Sequence, residues 1–202
     1  FVLPDAIGLL VFVGLPMLLA LAMGFFSVDG FGSFTFIGLA NYQRMWIDPL
    51  FWQCLRVTLV YVVRVVPSLY VAGLGLALLV QQGTRFNTVM RSMFFAPQMV
   101  SLVVIAVVWQ FLSADKFGLL ARLFALFGLN GVSLLGDPSL ALYTTIFVTV
   151  WFLMGFYMLI VLGGLQDIPQ QYYEAARIDG ATKVEAFWHI TMPLLRPTSF
   201  FV

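Results

Sequence analysis

Residues able to do chemistry are scarce in this chain, and they are densest in one short stretch. Asp167, Glu174, Arg177, Asp179, Lys183, Glu185 and His189 all lie between residues 166 and 192. The chain has one cysteine, Cys54, and one histidine, His189. A lone thiol forms no internal disulfide, and one histidine with one cysteine cannot build a metal cluster, so no metal site is expected. No catalytic set of nucleophile and base is visible either. What the charged stretch offers is docking, because carboxylates beside small residues can make charge-assisted bonds to a partner in a partly dry cleft.

A few residues elsewhere are candidates for contact with a solute. Arg64 sits within a long apolar run, where a charge costs at least about 2.5 kcal/mol unless it faces protein or water. It is expected to line a solute path, to pair with an acid on a partner, or to be a structural, snorkelled arginine. Trp109 and Gln110 set an aromatic beside an amide, which suits stacking on a sugar and bonding its hydroxyls; the pair equally suits a lipid-interface belt. Met154, Tyr157 and Met158 can line a cavity or simply pack.

Composition decides the solvent. Hydrophobic residues make up 62% of the 202 residues and charged ones 9%, against about 25% charged in soluble domains. Mean hydropathy is +1.01. So few charges cannot cover a water-facing surface, so most of the outside must face lipid. A net charge of +1 gives no basic face for nucleic acid.

Apolar runs long enough to span a bilayer lie at about 3–26, 55–80, 92–112 and 139–165, with a fifth beginning near 194. Pro16 is expected to kink the first. Residues 1–26 are too long for a signal-peptide core and lack a basic start, so they read as a retained helix. The chain begins at Phe1 and ends at Val202 inside an apolar run, so both ends are expected to be trimmed. Residues 27–54 read as a polar, aromatic segment on the membrane surface. In the loop 113–138, which carries Asp115, Lys116, Arg122 and Asp137, the spacing of Leu120, Leu123, Phe124 and Phe127 predicts a short interfacial helix. The connector 81–92 holds Arg85 and Arg91 and no acid, which places it in the cytoplasm. The stretch 166–192 then lies on the same side.

That stretch reads as two short helices and a turn. Pro169 suits the first turn of a helix. Asp179-Gly180 ends it, with Gly180 free to take the left-handed conformation. Thr182-Lys183-Val184-Glu185 has the form of a capping box. Ala175, Ala176, Gly180 and Ala181 leave little side chain near the turn, so another backbone can come close. Taken alone, such a hairpin is usually only a connector.

The string Tyr173-Glu174-Ala175-Ala176-Arg177-Ile178-Asp179-Gly180-Ala181, continuing to Phe187, Ile190 and Pro193, resembles the EAA loop of ABC importer permeases. The likeness extends to Gly38-Leu39-Ala40-Asn41-Tyr42, to Asp48-Pro49 with Phe51-Trp52, to Arg91 through Pro97, and to Gly163 through Pro169. These resemble the carbohydrate-uptake, MalF-like branch and cover almost the whole chain. Arg56-Val57-Thr58 and Ala121 depart from the family pattern, in which Asn-Thr and Asn are common at these places.

The resemblance implies an all-α, polytopic transmembrane helical bundle of the type I ABC importer permease kind, a single transmembrane domain over 1–202. It implies a non-catalytic permease subunit, multi-pass in a prokaryotic inner membrane, forming half of the pathway for a sugar or oligosaccharide. Its partners would be an ABC ATPase dimer, a second and different permease, an extracytoplasmic solute-binding protein and membrane lipid. The chain itself would hold no cofactor; ATP-Mg would sit on the ATPase subunits. The loop would be the coupling helix, with Glu174, Ala175, Ala176, Asp179, Gly180 and Ala181 as docking residues. Glycerol phosphate or another polar organic solute is the near alternative. A membrane enzyme, a channel or a scaffold is the alternative of another class. An enzyme would need clustered ionisable groups near the spans, a channel a filter or charged ring, and a scaffold would show no dependence on ATP.

Overall fold

The computed structural model describes residues 2–30, 32–114, 118–128 and 132–201. Asp115 and Lys116 of the expected outer loop lie outside these. The chain divides into two compact units, Phe1–Leu59 and Val60–Val202.

In the first unit, α1 (Leu3–Leu9), a π-helical turn (Leu10–Gly14) and α2 (Leu15–Met23) form one apolar run of 21 residues. Pro16 has no N–H to offer the carbonyl four residues earlier, and its ring crowds that carbonyl. The π turn directly before it absorbs this mismatch. The run ends in a small antiparallel hairpin, β1 (Phe26–Val28) with β2 (Phe34–Phe36), in which Ser27 faces Thr35. Helix α3 (Ala40–Ile47) follows. The Asn41 amide donates to the carbonyls of Gly24 and Phe26, both at 3.0 Å, and Tyr42 Oη donates to the Leu21 carbonyl at 3.3 Å. The Gly38–Tyr42 string thus holds α3 against the end of the first span. Residues 27–54 are therefore a hairpin, a helix and the first turn of the next helix, and not one surface loop.

Helix α4 (Pro49–Val80) runs 32 residues and begins six residues before the expected start at 55. Helix α5 (Arg85–Phe95) begins inside the expected connector; Thr84 caps it by accepting the Asn87 N–H. A 3-10 turn (Ala96–Met99) containing Pro97 and an extended Val100 then separate α5 from α6 (Leu102–Leu112). The two parts are bent by 93°. The stretch expected as a single span at 92–112 is therefore two parts set at an angle, the first of them continuing α5. Gln98 stabilises the break, its side chain donating to the Phe152 carbonyl at 2.7 Å. Helix α7 (Leu119–Leu126) is the short helix the apolar spacing predicts. Helix α8 (Pro138–Gln166) spans 29 residues, with Asp137 at its N-cap.

Small residues let these helices close on one another, as membrane helices require when lipid is as apolar as the core. A Cβ added at Gly73 of α4 would lie 3.2 Å from the backbone of Tyr157 on α8. A Cβ at Gly155 of α8 would collide with the carbonyl of Phe94 on α5. Around these contacts Ala77, Val80, Met158, Val161 and Leu162 form one buried cluster, and Val65, Leu69 and Ile146 another. Tyr61 and Thr149 hydroxyls bond at 2.9 Å between α4 and α8. At the end of α4 the Arg91 guanidinium donates to the Val80 carbonyl at 2.6 and 3.0 Å. It satisfies a helix C-terminus and complements the dipole there.

Replacing Gly155 by valine should destabilise the packing of α5 on α8 by about 1–3 kcal/mol, the usual range for overpacking. Gly163→Ala, with nothing within 4 Å of the added carbon, should be silent. Thermal unfolding of the detergent-solubilised protein checks this; equal midpoints for both variants would contradict the packing described.

Candidate functional site

The charged stretch after α8 folds as a short helical hairpin. Pro169 stands at the N-cap with extended backbone (φ −60°, ψ 132°), and helix α9 begins one residue later (Gln170–Ile178). The sequence places Pro169 inside the first turn; instead its carbonyl accepts the Tyr172 N–H at 3.2 Å from outside the helix. At the other end the Ala181 N–H bonds the Ala176 carbonyl at 2.9 Å and the Gly180 N–H bonds the Arg177 carbonyl at 3.1 Å. These are the two bonds of a Schellman cap. Gly180 carries it with φ +78°, a conformation a side chain disfavours.

The turn then enters α10 (Lys183–Ala186) through a capping box. Thr182 Oγ1 accepts the Glu185 N–H at 3.3 Å, and Glu185 Oε2 accepts the Thr182 N–H at 2.7 Å. The backbone N–H of Thr182, then its hydroxyl, hold the exposed Glu185 carboxyl below the usual carboxylate range, with a smaller effect from His189. The lowered value means the box contributes above the ordinary carboxylate pKa and is lost as pH falls through the lowered one.

A π-helical turn (Phe187–Thr191), α11 (Met192–Leu194) and α12 (Arg196–Phe201) lead back toward the helices. Tyr173 Oη and Thr191 Oγ1 bond at 2.9 Å and tie α9 to the returning strand of the hairpin. Leu195 is buried, and Gly164 of α8 lies against Leu195 and Thr198. Tyr70 Oη and Ser199 Oγ bond at 2.8 Å between α4 and α12. A continuous set of packed and bonded residues therefore runs from the hairpin into α8 and α4.

The six expected docking residues separate by side. Glu174, Ala175, Asp179 and Gly180 are exposed. Glu174 makes no hydrogen bond or ion pair among the described residues. Ala176 and Ala181 are half-buried and, with Gln81, Tyr173, Arg177 and Lys183, line a groove of about 370 Å³ beneath the hairpin. Ile178 is the residue that sequence reasoning missed. It is 87% exposed beside Gly180, a bare apolar side chain on the outer face. Its spacing from Ala175 and Glu174 (i+3 and i+4) puts all three on one face, and that spacing was the available signal.

The four pathway candidates are not gathered into one site. The Arg64 guanidinium lies 4.8 Å from the centre of the Tyr143 ring, and no carboxylate pairs with it among the described residues. Trp109 packs edge-on against Phe147 and Trp151, at 5.9 and 5.5 Å. Gln110 is exposed. Tyr157 is half-buried against the Val65, Leu69 and Ile146 cluster. Trp109 and Tyr143 do share one groove, of about 520 Å³, but its other walls are mostly apolar, including Leu120, Phe124 and Phe147.

Three comparisons bear on this arrangement. The model of the family described as "binding-protein-dependent transport system inner membrane component" matches residues 69–202. The chain is 35% identical over 200 residues to the probable ABC transporter permease protein YurN of Bacillus subtilis, covering 96% of this chain and 68% of that protein. It is 34% identical over 202 residues to the trehalose/maltose transport system permease protein MalF of Thermococcus litoralis, covering 97% of this chain and 67% of that one. It thus spans about two thirds of the length of these curated relatives. A bacterial ABC transporter that imports the acidic polysaccharide alginate has a chain of the same fold, with TM-score 0.82 at 23% identity, covering 98% of this chain and 67% of that one. The fold is the all-α, transmembrane type I permease fold, to which the two short strands are a minor addition. By family model, relatives and fold, the chain belongs to the binding-protein-dependent transport system inner membrane components, the permeases of ABC transporters.

Proposed function

We propose that this chain forms half of the translocation pathway of an ATP-driven importer of a sugar or oligosaccharide, in a prokaryotic inner membrane, and that its hairpin couples the pathway to an ATPase. The observation that carries the reading is the hairpin itself. It is an exposed helix end bearing Glu174, Ala175, Ile178 and Asp179, closed at both sides by caps. Capping, the Tyr173–Thr191 bond and the packing of α12 on α8 make it stiff enough to carry a load.

The partners follow from that geometry and from the family. An ATPase dimer would hold ATP-Mg and receive the hairpin in a cleft. Ile178 would fill an apolar pocket there, and Glu174 would pair with a basic side chain. Ala175 and Gly180 would let the two backbones come close. Ala176 and Ala181, turned inward, would serve the fold of the hairpin more than the contact. A second, different permease would complete the pathway, and a solute-binding protein would deliver the solute outside. Closure of the ATPase dimer would push the hairpin, and α8 and α4 would move with it; the solute and ATP would then favour different states of the same bundle. The sugar assignment draws on relatives whose names speak of trehalose and maltose, of sulfoquinovosyl glycerol and of starch degradation products. Glycerol phosphate or another polar organic solute is the second reading, the glycerol phosphate favoured by the Arg64 cation, which has no carboxylate partner among the described residues.

Two outcomes test the coupling role in the reconstituted complex. Glu174→Lys and Ile178→Asp should each lower ATP-dependent uptake by more than about tenfold, the scale of breaking a desolvated contact at an interface. Neither should change insertion or thermal stability, since both side chains are exposed. Uptake at the parental level would reject the docking face. Gly180→Val should also abolish uptake, because a β-branched residue at φ +78° is strained by roughly 1–2 kcal/mol or more. Gly180→Asn, which tolerates this conformation, should keep most of it; equal loss in both would show that the turn conformation is not what matters.

A further inference from the structure

Arg64 is a charge that its own helices do not neutralise. Helix α4 holds 32 residues, about 48 Å of helix, and Arg64 stands at its middle. A hydrocarbon layer of about 30 Å, laid anywhere along α4, includes that midpoint. No Asp or Glu occurs in α4, α6, α7 or α8, so none of these helices brings an acid to that depth. The guanidinium is exposed and makes no hydrogen bond or ion pair among the described residues. A charge so placed faces protein or water, and not lipid.

Its surroundings are aromatic. Tyr143, Phe147 and Trp151 recur four residues apart on α8 and so share one face. Arg64 meets that face from α4, 4.8 Å from the centre of the Tyr143 ring. Trp109 meets it from α6, edge-on to Phe147 and Trp151. The seam that holds this part of α4 on α8 is fixed, with Val65 and Leu69 buried against Ile146 and Tyr61 bonded to Thr149. Tyr143 and Phe147 remain exposed. The groove of about 520 Å³ that they line with Trp109 is of the size that takes small ligands.

We infer that this face of α8 contacts the solute and that the solute is an acidic saccharide. Its rings would lie on the aromatic side chains, and its carboxylate, sulfonate or phosphate would meet Arg64. The inference rests on the importer reading and narrows it. Aromatic side chains alone suit a neutral sugar, and a cation alone suits a small anion. Both on one face suit a molecule that has both characters. A carboxylate of the second permease is the rival partner of Arg64.

The test uses the complex purified with its ATPase, second permease and binding protein. ATP hydrolysis would be followed as glucose, galactose, maltose, cellobiose and glycerol 3-phosphate are added, and then glucuronate, galacturonate, digalacturonate and glucose 6-phosphate. At least one of the acidic sugars should stimulate hydrolysis, and the neutral sugars should not. Arg64→Gln should lower that stimulation about tenfold or more, the scale of a lost hydrogen bond to a charged group. Arg64→Lys, which keeps the charge, should retain a larger share and so controls for misfolding. Stimulation by neutral sugars or glycerol 3-phosphate alone, or by no acidic sugar, would overturn the inference. So would a parental response in Arg64→Gln, or loss of the second permease from that variant, since Arg64 would then pair with a carboxylate there. A preparation without ATPase rejects the importer reading itself, and shows this before any sugar is added.

Discussion

The close approach of α8 to its neighbours at glycine governs this fold. Lipid offers helices no hydrophobic reason to associate, so contact must come from packing and a few hydrogen bonds. Gly155 leaves room for the Phe94 carbonyl, and Gly73 leaves room for the backbone at Tyr157. Those two contacts fix α5 and α4 along α8. They also place the helix break at Pro97 beside α8, where Gln98 reaches the Phe152 carbonyl. A break in lipid leaves backbone groups without water, so it can exist only where protein lies against it. The bent span is thus a consequence of the seam.

The same seam gives the hairpin something to act on. Leu195 and Thr198 rest on Gly164, and Ser199 bonds Tyr70. Tyr173 and Thr191 bond α9 to the limb that leads into α12, which in turn packs on α8 and bonds α4. Each link is a short, defined contact. Near the turn, Ala175 and Gly180 are exposed and small beside Glu174, Asp179 and Ile178, and such a patch favours a close-fitting partner over a loose one. Arg91 belongs to this picture too. Its charge reads as an orientation signal, yet its guanidinium is used to close the C-terminus of α4.

Much of this was legible in the residues themselves. Apolar runs gave the spans because their lengths match the bilayer. The capping box and the left-handed Gly180 are local, so four or five residues determine them. Helix breaks are harder. Residues 92–112 are largely apolar, and Pro97 marks a kink without giving its size; the 93° bend also depends on Gln98 finding a carbonyl 54 residues away. Pro169 shows the same limit on a smaller scale, since the N-cap and first-turn positions differ by one residue and proline tolerates both. The sides of α9 were half legible. Small size marks Ala175 and Ala176 alike, but only the fold turns Ala176 toward the groove it lines with Gln81 and leaves Ile178 bare. The pathway residues were least legible. Arg64, Trp109, Gln110 and Tyr157 were chosen by type, and the fold sends them to different surroundings.

The account's central claim is that the hairpin is a seat for an ATPase. It is tested most directly by purifying the full-length protein from its native membrane, under conditions that keep complexes intact, and identifying by mass spectrometry what accompanies it. The account predicts an ABC ATPase and a second permease in stoichiometric amounts, with ATP hydrolysis in the purified material. A chain that purifies alone, without ATPase or ATP hydrolysis, would contradict it.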